Sequence, residues 1–147
     1  MDSALALTQG ACAAYRPGQM ARRRVTTYVC VVRIAEVRDQ AAELLARHFA
    51  PEEAAGLAVK PAQSLAGALA LKRALVQLFR EADPRAEVTE RDFHLTHDGD
   101  GAPRVIGWPG SARAAVAPCA VRVSISHSRT TACGVAAYQE DRDVPDA

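Results

Sequence analysis

The chain of 147 residues has only two lysines, Lys60 and Lys72, and aromatic side chains make up just 5% of it. It contains no apolar run near the ~18–20 residues that a membrane-spanning helix requires. It does not begin like a secretory signal either. Asp2 stands where a basic segment belongs, and the apolar patch Ala4 to Leu7 is short. The four cysteines, Cys12, Cys30, Cys119 and Cys133, are scattered without a CxxC pair, so they read as free thiols of a cytoplasmic protein. His94 and His97 have HxxH spacing but no neighbouring cysteine to complete a zinc site. The charge excess expected of a nucleic-acid or membrane-surface binder is also missing. Sixteen arginines and two lysines face 17 acids, and the formal charge is +1. What remains is the composition of an ordinary globular protein, 49% apolar and 24% charged, in a length that suits one domain.

Residues 1–24 show no sustained period and include the basic run Arg22-Arg23-Arg24, so they read as a flexible extension. Residues 25–139 form the expected domain, and 140–147 read as an acidic tail. Thr26 to Ile34 is β-branched and almost continuously apolar, which predicts a buried strand. Between Arg38 and His48, the residues Ala41, Leu44, Leu45 and His48 fall at helical spacing. Pro51-Glu52-Glu53 starts a short helix, with proline in the first turn and acids at its positive end. That role explains the acidic pair without invoking a catalytic dyad.

Ala62 to Phe79 carries the strongest helical pattern. Leu65, Leu69, Leu71, Leu75, Leu78 and Phe79 cover most of its circumference, so it should be largely buried, with Lys72, Arg73 and Gln77 interrupting that surface. Arg73 and Gln77 lie one turn apart on the same side. Beyond it the pattern changes to strands. Asp92 to Thr96 and Arg104 to Trp108 read as a hairpin around Asp98-Gly99-Asp100-Gly101, followed by a short alanine-rich helix ending at Ala117. Val121, Val123 and Ile125 alternate with polar residues. The loop His127-Ser128-Arg129 then leads into a last strand, Thr131 to Tyr138. The order predicts an α+β fold, an antiparallel sheet packed on one long buried helix.

Four stretches together resemble a known family. Val123-Ser124-Ile125-Ser126-His127-Ser128 is similar to the V-S-I-S-H-S/T strand of the 4'-phosphopantetheinyl transferases of the small holo-acyl-carrier-protein synthase type. Tyr28 to Val37 looks like that family's first strand, G-I-D-I-V-E-I. Leu65 to Ala74 looks like its central helix, L-A-G-R-F-A-A-K-E-A, and Gly101-Ala102-Pro103 falls at its G-K-P turn. The resemblance runs from Tyr28 to Tyr138. It implies a phosphopantetheinyl-transferase-like fold and a homotrimer with the pocket between subunits. It also implies coenzyme A as ligand and an acyl carrier protein as partner. In the family, a carrier serine attacks the phosphate next to the pantetheine arm and adenosine 3',5'-bisphosphate leaves. An aspartate and a glutamate hold Mg²⁺ against the diphosphate.

The departures are specific. Arg33 stands at the metal aspartate position and Arg73 at the metal glutamate position, a change from two negative charges to two positive ones. Ala68 replaces a phosphate-facing arginine, and Gln77 replaces a lysine. Mg²⁺ is therefore not expected at the family site. The matching residues that remain are His127 and Lys72, as catalytic candidates if the chain is active. Arg33, Arg73, His127, Ser128, Pro103 and Gly67 are candidates for the coenzyme A side. Three readings follow. The chain is a divergent or inactive member that binds coenzyme A or a carrier protein. Alternatively, it is a metal-independent transferase that clamps the diphosphate with Arg33 and Arg73. The third is a structural or interaction protein rebuilt on the same fold. Each residue also has a plainer role: His127 as a loop histidine, Lys72 as a salt-bridged helix residue, and the two arginines as partners of acids such as Glu36 or Glu43.

Overall fold

The computed structural model describes residues 3–12, 21–110 and 116–143. Strand β1 (Ser3–Cys12) pairs antiparallel with β2 (Ala21–Arg33), which leads directly into helix α1 (Ile34–Asp39). Helices α2 (Ala41–His48), α3 (Pro51–Ala58) and the 21-residue α4 (Ala62–Ala82) follow. A short 3-10 turn, Glu90–Asp92, precedes the small hairpin of β3 (His94–His97) and β4 (Pro103–Gly107). Strands β5 (Val121–His127) and β6 (Thr131–Asp143) complete a four-stranded antiparallel sheet in the order β1-β2-β6-β5. The layout is α+β, with the long helix against the sheet.

Alternation on the strands decides which face is covered. Tyr28, Cys30 and Val32 of β2 are buried, as are Ala132, Gly134 and Ala136 of β6, and the register sets these residues side by side. They form the face under α4. On the other face, Val25, Val29, Val31, Val135 and Ala137 are only half-buried, and no described helix packs over them.

Two glycines let α4 lie close on the sheet. A Cβ on Gly67 would stand 2.6 Å from Ile125 Cγ2, and one on Gly134 only 2.2 Å from the backbone nitrogen of Leu71. Gly67 to Leu71 is about one helical turn, ~6 Å of rise, and Ile125 and Gly134 are register partners one ~4.8 Å strand spacing apart. The helix therefore steps across the strands from β5 towards β2. At its far end, the buried Tyr28 hydroxyl donates to Glu81, which fixes the last turn over β2. Phe79, Phe93 and Trp108 close that end of the core, with Phe79 edge-on to Phe93 at 5.0 Å between centroids.

Several boundaries differ from the sequence expectations. The segment 1–24 was expected to be a flexible extension, yet β1 pairs along β2, and β2 begins at Ala21. A strand of 13 residues exposes a long row of backbone groups, and β1 supplies their partners. Likewise β6 extends to Asp143, inside the expected acidic tail, because β2 pairs with it along the whole length. The helix expected between Arg38 and His48 begins at Ala41, and a separate short helix, Ile34–Asp39, precedes it across Gln40. The alanine-rich helix expected up to Ala117 lies mostly outside the described residues, and Val116 and Ala117 are not helical.

Candidate functional site

Arg33 is the last residue of β2 and the first flank of α1, so the strand-to-helix junction holds it exposed at the sheet's end. Arg73 sits midway along α4 and is half-buried. A cleft of about 160 Å³ runs between α1, α2 and α4, lined by Val32, Glu36, Val37, Gln40, Leu44, Leu69 and Arg73. Arg33 adjoins Val32 at its edge and lies within electrostatic reach of Glu36. Of the two arginines that the sequence singles out, Arg73 lines this cleft and Arg33 lies beyond its edge. Glu36 is the one carboxylate among the described residues lining it.

His127 opens elsewhere. It lines a second cleft of about 220 Å³ with Gln63, Ser64, His97, Gly101, Pro103 and Ile125, against the first turn of α4. The register puts Ala132 between His127 of β5 and Val32 of β2, so both clefts open at the same end of the sheet. Two strand spacings, about 10 Å, separate those backbones. Pro103 joins His127 in this cleft. Ser128 is exposed, and its Oγ is engaged by its own turn: the Thr130 and Thr131 amides both donate to it at 3.2 Å.

Two of the sequence candidates turn out to be packing residues. Gly67 is buried against Ile125, so its missing side chain serves the contact between helix and strand rather than a ligand. Lys72 has 0% exposure. Its ammonium donates to Glu53 Oε1 at 2.7 Å and to the His48 carbonyl at 3.1 Å, and lies 4.2 Å from the centre of the Phe49 ring. Burial pushes the Lys72 pKa down, and the Glu53 carboxylate pulls it back up. With its head group enclosed in this way, Lys72 holds α4 to α3 rather than facing a substrate.

Glu53 was read as an ordinary first-turn acid, and it is more than that. Its Oε1 also accepts from the Ala50 amide at 3.0 Å, and its Oε2 from the Leu95 amide at 2.8 Å. One carboxylate therefore joins α3, α4 and β3. The signal was present in the sequence: Lys72 continues the stripe Leu65, Leu69, Val76, a buried position that demands an acid nearby. His48 escaped notice as a charged group. Its Nδ1 stands 3.4 Å from Glu90 Oε1, with side-chain exposures of 24% and 19%. Burial holds the His48 pKa below the ordinary imidazole value. Glu90 opposes that shift, and Arg73, Arg47 and Lys72 reinforce it. Gln77, one turn beyond Arg73, keeps a buried Oε1 with no hydrogen-bond partner among the described residues.

No protein-family model matches the sequence, and no curated protein matches it. Solved structures do. The apo acyl carrier protein synthase of Chronobacterium ammoniagenes superposes with a TM-score of 0.61 at 20% identity, over 81% of this chain and 100% of that one. The chain has the acyl carrier protein synthase fold. The same synthase in its complex with CoA gives 0.60 at 20% identity, over 80% of this chain and 98% of that one. The acyl carrier protein synthase of Mycobacterium tuberculosis gives 0.59 at 25% identity, over 79% and 96%. The likeness covers the whole of the synthase domain and leaves about a fifth of this chain outside it.

The synthase fold implies a divalent cation, and the donor chemistry of the first cleft can be tested for it. A guanidinium has no lone pair to offer and carries a fixed positive charge. Among the described residues lining the cleft, Arg73 offers such a charge and Glu36 a carboxylate, with Arg33 within electrostatic reach of Glu36. A unit positive charge ~4 Å from a cation opposes it by ~4 kcal/mol at an effective dielectric of 20. Neither guanidinium can itself serve as a ligand to Mg²⁺.

Proposed function

We propose that this chain is a divergent relative of the acyl carrier protein synthases that binds coenzyme A without a divalent ion and has left the metal-dependent transfer route. One observation carries the reading: Arg73 lines the cleft and Arg33 lies within electrostatic reach of Glu36 on its wall, two guanidiniums where the resemblance places the family's metal acids. Two guanidiniums suit a diphosphate directly, each able to donate two parallel hydrogen bonds. His127 and Pro103, in the second cleft, complete the ligand contacts.

The separation of the two clefts supports a shared pocket. Within one chain, the arginine rim and the His127 cleft are two half-sites at one end of the sheet. Between copies of a homotrimer, the rim of one subunit meets the His127 cleft of the next. The uncovered valine-rich face of β2 and β6 supplies apolar surface for such an assembly. The partner protein is an acyl carrier protein or related carrier domain, and the setting is the cytoplasm.

Calorimetry with coenzyme A tests the reading. Binding is expected with chelator present, unchanged by added Mg²⁺, and weakened about tenfold or more by Arg73→Ala. Absence of binding at millimolar concentration would overturn it. The paired arginines also favour a second reading, a metal-independent transferase. Mass spectrometry of a carrier protein would then show the pantetheine adduct in the presence of chelator. No adduct beside a working control enzyme removes it.

A further inference from the structure

The hairpin of β3 and β4 is a sheet of its own, and its two halves are held very differently. The base is fixed. Phe93 and Trp108 flank it and pack with Phe79, and a Cβ on Gly107 would stand 2.7 Å from His94 Cβ. The register then slips. His94 faces Gly107 but Leu95 faces Val105, which leaves Ile106 as the extra residue of a bulge. At that point the Leu95 amide donates to Glu53 Oε2 at 2.8 Å. Among the described residues this is the one hydrogen bond between 94–107 and the rest of the chain. Beyond it, His97 to Ala102 and Arg104 are exposed. The tip is braced within itself, by the Asp98 amide on the Ala102 carbonyl at 2.8 Å and Arg104 on Asp98 at 3.3 Å. Open space surrounds this distal half. Towards α3 lies a cleft of about 220 Å³, lined by Gly56, Leu57, Ala68 and His97. Towards β5 lies the His127 cleft, of about the same volume, which His97 also lines. Along the outer edge of β4, a groove of about 340 Å³ runs between it and β5, and no backbone hydrogen bond among the described residues crosses it.

We propose that the distal half of this hairpin is a lid over the His127 cleft, pivoting at the Leu95 bulge with Glu53 as its anchor and closing on bound coenzyme A. This rests on the reading of that cleft as part of a coenzyme A site. A ligand seated there touches His127 and the first turn of α4 on one side, and His97 and Pro103 on the other. It gains from both walls only when they draw together, so it binds the closed position better and shifts the hairpin towards it. The cleft towards α3 is the room into which the open hairpin swings back. The braced tip travels as one piece, and the bend falls where the ladder is already interrupted.

Relaxation-dispersion NMR of the backbone amides tests this, first without ligand. Lid motions of this kind fall in the microsecond-to-millisecond range, so exchange broadening is expected from His97 to Ala102 and at Arg104, but not at Leu95, Val105 or Leu71 of α4. Saturating coenzyme A should reduce the distal broadening about threefold or more. A distal half without broadening in the free protein overturns the inference. So does broadening that coenzyme A leaves unchanged while calorimetry shows it bound. Broadening shared equally by Leu95 and Val105 removes the pivot and the anchoring role of Glu53. If coenzyme A fails to bind at millimolar concentration, the reading of the cleft as its site fails, and closure on coenzyme A fails with it. The hinge itself is judged by the free protein alone.

Discussion

The interior along α4 and the rim at the end of β2 obey different rules. In the interior, every position is constrained by contact. Gly134 meets the backbone of α4 at Leu71, Gly67 meets Ile125, and Lys72 is enclosed with Glu53. At the rim, Arg33 is exposed and Arg73 only half-buried. Packing residues need matching shapes on both sides. A rim residue needs only to avoid a clash, so its chemistry can be replaced without moving the backbone.

The sharpest break of this contrast is at Gly134. Gly134→Ala places a methyl 2.2 Å from the Leu71 nitrogen, and backbone cannot yield as a side chain can. A cost of about 3 kcal/mol or more is expected in urea denaturation. A loss under about 1 kcal/mol would show that α4 can lift from the sheet.

Next is the buried pair. Glu53→Gln leaves the Lys72 ammonium enclosed without a counter-charge and should cost about 3 kcal/mol. Lys72→Met, which fills the same channel without a charge, should cost less, because Glu53 keeps the Ala50 and Leu95 amides as donors. The reverse ranking, read from the same denaturation curves, would mean that the carboxylate rather than the ammonium is the group in need of a partner.

The smallest expected effect on stability is at the rim. Arg33→Asp should change unfolding free energy by no more than about 0.5 kcal/mol, since the side chain is exposed. It should also cut coenzyme A binding markedly. A large loss of stability with binding intact would reverse the division between interior and rim.

Much of the interior could be read from the sequence because burial leaves a periodic trace. The leucines of α4 and the alternation of Val121, Val123 and Ile125 announce a long buried helix and a half-covered strand. The pairing of β1 left no such trace, since it depends on a partner strand and not on local pattern. The break between α1 and α2 was hidden for a related reason: Gln40, where they separate, is neither glycine nor proline. At the site, Arg33 and Arg73 were visible through their positions in the motifs. The stripe position of Lys72 called for a buried acid without saying that it was Glu53, 19 residues earlier, and the role of His48 depends on Glu90, far along the chain.

The seat of Gly134 on Ala70 and Leu71 has a further consequence for heredity. With the helix unable to slide or turn, adjacent residues 72 and 73 are committed to opposite fates, one to the inside and one to the cleft. A single base change in the codon for residue 72 is exposed to selection for folding. A change in the next codon meets a weaker form of that test, because Arg73 is only half-buried, and is also seen by whatever the cleft binds. A lineage can therefore explore new ligands at residue 73 while its fold stays under guard one residue away.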